Sequence, residues 1–197
     1  MHIGERFYTQ DELQTLGFKS LGKNVLIKRN ASIYFTENIC IGDNSRIDDF
    51  TVLVASRELV SIGSYVHIAS HCVIAGSEGF VMEDFSGLAP RVNVFTGSDD
   101  YSGQKLTNPT INREYTGGNH GKVVLGRHVI IGAGSTIFPG CVLSEGCSVG
   151  AMSLVNKNLN AWTIYAGIPA KSIKGRKKDL LVLEQKFLAE NQINVIH

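Results

Sequence analysis

The sequence predicts an all-β protein: a parallel β-helix wound from six-residue repeats, with a short helix near its start, one protruding loop and a C-terminal helix. Three observations carry this. Aliphatic residues recur at every sixth position from Leu125 to Val155. Small or β-branched residues sit two places earlier in each unit. The same frame returns upstream in shorter runs.

The main run is Leu125, Ile131, Ile137, Leu143, Val149 and Val155. With 43% hydrophobic residues, six such hits in one chosen frame arise by chance about once in 160 trials, so composition alone does not produce them. Two places earlier stand Val123, Val129, Ser135, Cys141, Cys147 and Ser153. Upstream the frame reads Leu21, Ile27, Ile33, then Ile41, Ile47, Leu53, then Ile62, Ile68, Ile74, and continues at Leu88 and Val94. A helix repeats at 3.6 residues and a strand at 2, so a period of six fits short strands separated by fixed turns. The aliphatic residue points inward; the position two before it also faces in, near a corner where a small side chain fits. Three units close a triangular coil, and coils stack at the strand spacing of about 4.8 Å. A β-sandwich is the competing architecture, but simple alternation does not hold a six-residue register.

The flanks follow in order. Thr9-Gln10-Asp11-Glu12 is a capping box opening a short helix, with Leu13 and Leu16 packing inward and Gly17 as its stop. This helix plugs the open first coil within an N-terminal cap, residues 1–19. Repeats fill 20–175, interrupted by a loop at 98–121 where the register is lost and turn formers gather at Gly103, Asn108-Pro109 and Gly117-Gly118. A long excursion from a repeat scaffold is usually functional. Residues 176–197 carry the last helix, with Leu183, Phe187 and Leu188 on one side.

Composition narrows the function. A net charge of +1 makes no case for nucleic acid. The longest apolar runs fall short of a membrane span, and the start is not a signal peptide, so a cytoplasmic location is expected. Cys40, Cys72, Cys141 and Cys147 form no CxxC pair and are expected as small buried hydrophobes in a reducing compartment.

Ala166-Gly167-Ile168-Pro169-Ala170-Lys171 is similar to the closing A-G-x-P-A-K signature of the hexapeptide-repeat acyltransferases, and the repeats over about 20–175 resemble that family too. The resemblance implies a left-handed coil, acetyl-CoA as co-substrate, a sugar or nucleotide-sugar acceptor, and a homotrimer with active sites between subunits. By position it implies that Ala133 and Ala151 offer backbone groups to the pantetheine arm. Asn156 and Lys157 stand where the family often has Thr-Lys, the Asn being a departure. Lys171, Lys174 and Arg176, with Lys177 and Lys178, form a basic patch suited to nucleotide phosphates.

Galactoside and maltose acetyltransferases, which this region resembles, place a catalytic His just after a Thr-Gly pair as general base. Here Thr96-Gly97 is followed by Ser98-Asp99-Asp100. The candidates for that role are therefore Asp99, Asp100, His120 at the far end of the loop, and His67, which faces outward one residue before Ile68. His71 and His128 fall at coil corners and are expected at the surface. The missing His leans toward an aminosugar, since a neutral amine attacks unaided. The stretch Ser98–Gly103, with Leu106-Thr107-Asn108-Pro109, is similar to a subgroup of acyltransferases associated with bacterial surface polysaccharide, including lipopolysaccharide O-antigen. Two readings compete: a non-catalytic scaffold of the same fold, and a metal hydratase resembling the γ-carbonic anhydrases. The latter needs three His ligands, which the spacing of His67, His71 and His120 does not match, so no metal site is expected. The outward Phe95 and Phe138 suggest a partner surface.

Overall fold

In the computed structural model, which describes residues 7–193, the chain opens on the expected capping box. Thr9 Oγ1 accepts the Glu12 amide at 3.2 Å, and the Thr9 amide donates to Glu12 Oε2 at 2.7 Å. They open helix α1 (Gln10–Thr15). Arg29 of the first coil also donates to Glu12, at 2.7 Å. That bond, with the Thr9 contacts, holds the Glu12 carboxyl at about 2. Leu13 is buried as expected, but Leu16 is 39% exposed. The helix ends at Thr15, so Leu16 leaves the face that covers the core.

Each six-residue unit then gives a strand of two or three residues and a turn, and three units complete a coil. Like positions pair in parallel from coil to coil, making three faces. The first stacks Ile41, Ile62, Met82, Leu125 and Leu143. The second stacks Ile27, Ile47, Ile68, Leu88, Ile131 and Val149. The third stacks Ile33, Leu53, Ile74, Val94, Ile137 and Val155. All but Ile33 are buried, as is every one of the small positions from Val123 to Ser153. The buried Ser135 and Ser153 hydroxyls both donate to the Gly150 carbonyl, at 3.0 and 2.7 Å, so neither is left unpaired. Met82 fills the same register as its aliphatic neighbours and extends the frame into the coil where the spacing had been faintest.

Ile131 has 0% exposure in the fifth coil of its ladder. Ile131→Ala is expected to cost about 2–5 kcal/mol through lost burial and the cavity left behind. Urea unfolding measures it; an unshifted midpoint would contradict a close-packed interior.

The corners hold what spacing did not show. Tyr65, Phe85, His128 and Trp162 recur at one corner with positive φ, and Phe50 and His71 at another. That conformation costs a non-glycine residue about 1–2 kcal/mol. Stacking offsets it: Tyr65 and Phe85 lie 4.8 Å apart nearly parallel, and Phe50 and His71 lie 4.9 Å apart.

The chain closes with an antiparallel pair, Thr163–Ala166 with Lys171–Gly175, on the edge of the second face. Helix α2 (Leu180–Ile193) then crosses the aromatic corner. Phe187 packs edge-on against Tyr65 and Phe85, and Glu184 bridges Arg127 and His128. This corrects one expectation: His128 is 7% exposed, because the helix covers its corner, while His71 stays at the surface. Cys72, Cys141 and Cys147 are buried, whereas Cys40 is half-buried on the outer side of its strand; all four are free. Burial pushes the Cys72 thiol up to about 11 and Cys147 to about 12. Among the described residues no helix is long and apolar enough to cross a membrane.

Candidate active site

The coil register breaks after Thr96, and the break is built. Buried Thr96 donates its hydroxyl to the Ala75 carbonyl at 2.8 Å and accepts the Glu78 amide at 3.0 Å, tying the loop's root to the coil above. The chain then rises as a two-stranded antiparallel ribbon, Gly97–Asp99 against Gly118–His120. One glycine is required there: a Cβ on Gly118 would run into the Ser98 carbonyl oxygen, which is backbone, whereas one on Gly97 would meet the exposed His120 ring at 2.9 Å and only displace it.

Pairing in the ribbon decides which side chains share a side. Ser98 pairs with Asn119, and both line a cleft of about 360 Å³ at the ribbon's root. Phe95, Phe138, Pro139 and Asn156 form the cleft's floor, with Tyr101 at its rim. Gly97 pairs with His120 and Asp99 with Gly118, so Asp99 and His120 lie on the other side.

The predicted bases therefore separate. Asp100 accepts the Ser102 hydroxyl and amide, at 2.7 and 3.0 Å, and the Lys105 amide at 2.9 Å. These bonds pull its carboxyl down to about 2, so it is ionised at neutral pH and braces the turn. Asp99 is exposed at the last paired position of the ribbon, with Ser98 before it and Tyr101 two residues on. The Asn108 amide reaches its Oδ1 at 3.4 Å. His120 Nδ1 lies 3.6 Å from Glu78 Oε1, which Arg57 holds at 2.6 Å.

His67 stands elsewhere. It belongs to the second face, where its Nε2 meets Asp48 Oδ2 at 2.9 Å beside Arg46. Burial raises the Asp48 carboxyl, but the His67 and Arg46 hydrogen bonds outweigh it and leave it below its usual value. His67 lines a second cleft of about 590 Å³ between the coil and α2, with Tyr65, Phe85 and Leu183. Within one chain this cleft and the ribbon occupy different faces. Among the described residues, no three of His, Cys, Asp and Glu are grouped as metal ligands.

Of the expected coenzyme-binding residues, Asn156 lies in the cleft floor and the exposed Lys157 follows it. Ala133 and Ala151 are exposed at the opposite end of the third face, where the Ala133 carbonyl accepts the Met152 amide at 2.8 Å. Lys171 and Lys174 are exposed on the closing strand. Arg176 turns inward instead, donating to the His128 and Gly146 carbonyls at 2.7 and 3.1 Å, so the exposed part of the basic tail is its lysines. Sequence reasoning missed Ser98, Asn119, Tyr101 and Pro139. Ser98 had a signal available: it occupies the position after Thr-Gly where the resembling family carries its His.

No family model matches the chain. It is 43% identical over 176 residues to a dTDP-4-amino-4,6-dideoxy-D-glucose acyltransferase of Escherichia coli, covering 89% of this chain and 92% of that one. It is 31% identical over 150 residues to WbbJ of Escherichia coli K12, named as a lipopolysaccharide biosynthesis O-acetyl transferase, covering 75% and 74%. The N-acyltransferase AntD of Bacillus cereus, solved with dTDP and 3-hydroxybutyryl-CoA, superposes with a TM-score of 0.91 at 47% identity, covering 96% of this chain and all of that one. A variant of AntD solved with dTDP-4-amino-4,6-dideoxyglucose and coenzyme A gives 0.91 at 48% identity, covering 95% of this chain and all of that one.

Proposed function

The chain belongs to the hexapeptide-repeat acyltransferases, and from that premise we propose that it acylates the 4-amino group of dTDP-4-amino-4,6-dideoxyglucose. It is an enzyme that takes an acyl group from acyl-CoA to a sugar, with acyl-CoA as co-substrate. The observation that carries the choice of an amine is Ser98, which stands after Thr96-Gly97 where the hydroxyl-acylating members resembled here carry their base His, and which lines the cleft with Asn119. A hydroxyl needs that base at the reacting oxygen more than a neutral amine, which is already a nucleophile.

The thioester end of the donor lies in the cleft, with Asn156 and Lys157 along its approach. The amine nitrogen attacks the thioester carbonyl carbon, and the carbonyl π electrons move to oxygen. The Asn119 carboxamide is a donor suited to that oxyanion. Collapse breaks the C–S bond, CoA leaves as thiolate, and the nitrogen loses a proton. Asp99, at the open end of the ribbon, takes that proton from an acceptor held across the ribbon edge. The exposed Lys171 and Lys174, with Lys177 and Lys178, suit the coenzyme's phosphates; Ala133 and Ala151 remain candidates for the pantetheine arm.

The working form is a homotrimer with each site completed at a subunit boundary. The outer side of the third face supports this, carrying Val54, Ala75 and Phe95, continued by Phe138, in one apolar row beside a mixed row of Val52, Val73, Asn93 and Thr136. The enzyme works in the cytoplasm, and its product feeds bacterial surface polysaccharide such as O-antigen. Residues 20–175 form the acyltransferase domain between the N-terminal cap and the C-terminal helix.

Thiol release from acyl-CoA tests the reading. Turnover is expected with the 4-amino sugar nucleotide and only background with its 4-hydroxy counterpart. Equal rates with both would overturn the choice of an amine.

A further inference from the structure

The corners that separate the coil's three faces are not alike. The corner after the first face carries Tyr65, Phe85 and His128 and is crossed by α2. The corner after the third face sends out the ribbon. The corner between the second and third faces carries Phe50, His71, Arg91 and Met152, all exposed. A ring of identical subunits joins one patch to a different patch of the next copy, so the apolar third face needs a partner other than itself. The ribbon and α2 keep their corners at the rim, which leaves the bare corner for the axis. The third face of one copy then faces the second face of the next. Triangular coils that meet at a corner leave a wedge between those faces, open at the rim, with the ribbon on one lip and α2 of the next copy on the other.

The second face presents Arg46, His67, Gly87 and Ile130 to the wedge in one outward row. Gly87 bears no side chain, so the exposed His67 is open to the cleft it lines. Its ring is fixed. A carboxylate only accepts, so the 2.9 Å contact with Asp48 Oδ2 puts the proton on Nε2, and Asp48 Oδ1 accepts Arg46 Nε at 2.7 Å. Nδ1 is left with a lone pair.

Resting on the acyltransferase reading above, we propose that the acceptor enters through this wedge and that the partner's His67 holds the reacting amine. A primary amine has two N–H bonds and one lone pair. The partner's His67 Nδ1 accepts one N–H, the other meets Asp99, and the lone pair is left to point at the thioester carbon. The bonds made and broken are those given above; His67 positions the nitrogen and keeps its own proton on Nε2.

Mixed trimers test the assignment. One chain carries His67→Ala; the other carries Asp99→Ala and Asn119→Ala together, so each keeps one intact half of a boundary. They are co-expressed with different tags, and trimers bearing both tags are isolated. Whichever chain is in the majority, one boundary in the ring joins an intact ribbon to an intact His67. Thiol release with the 4-amino sugar nucleotide is expected at about a third of the unmodified rate. The His67→Ala trimer alone is expected to lose about tenfold in kcat/KM, the cost of one hydrogen bond to the amine. Mixed trimers no more active than the mean of their two parents overturn the assignment, because both halves would then belong to one chain. A His67→Ala trimer as active as the unmodified protein overturns it too, as does an unmodified protein that sediments as a monomer. Unmodified protein that releases no thiol from any acyl-CoA sinks the acyltransferase reading as well.

Discussion

Replacing Asp99 with Ala is expected to lower kcat about 100-fold, the lower range for loss of a proton acceptor at the reacting group. The dissociation constant for CoA stays within about twofold, because the coenzyme lies toward Asn156 and Lys157 rather than the ribbon's tip. Asp99 carries this weight because its neighbour Asp100 accepts from Ser102 and Lys105, and Glu78, beside the ribbon's root, is held by Arg57. Steady-state kinetics with calorimetric CoA binding separates the two effects. Full activity in the variant would remove Asp99 from the mechanism and leave the amine attacking unaided; a matching loss of CoA affinity would mark it as a binding residue instead.

Gly118→Ala is expected to do comparable damage without touching the coil. The new methyl group meets the Ser98 carbonyl oxygen, which is backbone and has no rotamer to give. The ribbon must open at the Asp99–Gly118 pair, which displaces Asp99 from one side and Ser98 and Asn119 from the other. Activity falls about 100-fold, as misplacing reacting groups by about 1 Å does. The coil keeps its ladders, since the ribbon forms a sheet of its own. Far-UV circular dichroism and the urea midpoint should match the unmodified protein. Near-normal turnover would show that the ribbon is not what positions the site.

The scaffold was legible because its cause is local and repeated. Each unit solves the same problem, a short strand, a small residue at the corner and an aliphatic residue inward, so the solution recurs at a fixed spacing in Leu125, Ile131 and Ile137. Corners were harder. Tyr65, Phe85 and Trp162 take a conformation their side chains disfavour, and nothing within a single unit announces the stacked neighbour that offsets it. His128 was misjudged for a related reason: its cover comes from Glu184, 56 residues away.

The site was legible as a place but not as a set of side chains. Loss of register marked residues 98–121 as the excursion, and the departure from Thr-Gly-His drew attention to Asp99, Asp100, His67 and His120. Ribbon register then put Ser98 and Asn119 into the cleft and turned Asp99 and His120 to the other side. A one-residue slip would reverse that assignment. Turn hydrogen bonds engage Asp100, and within one chain His67 stands on the second face.

The sequence by itself determined the period, the coil and the closing signature, because each is written in residues six or fewer positions apart; the class of chemistry came through the family that the repeats and that signature resemble. Only the tertiary structure decided which loop residues face the cleft, that Arg176 spends its charge inward, and that Phe95, Phe138 and Asn156 align into one floor. These depend on pairings between segments tens of residues apart, where the contact is made by the stacking of coils and not by the chain's local order.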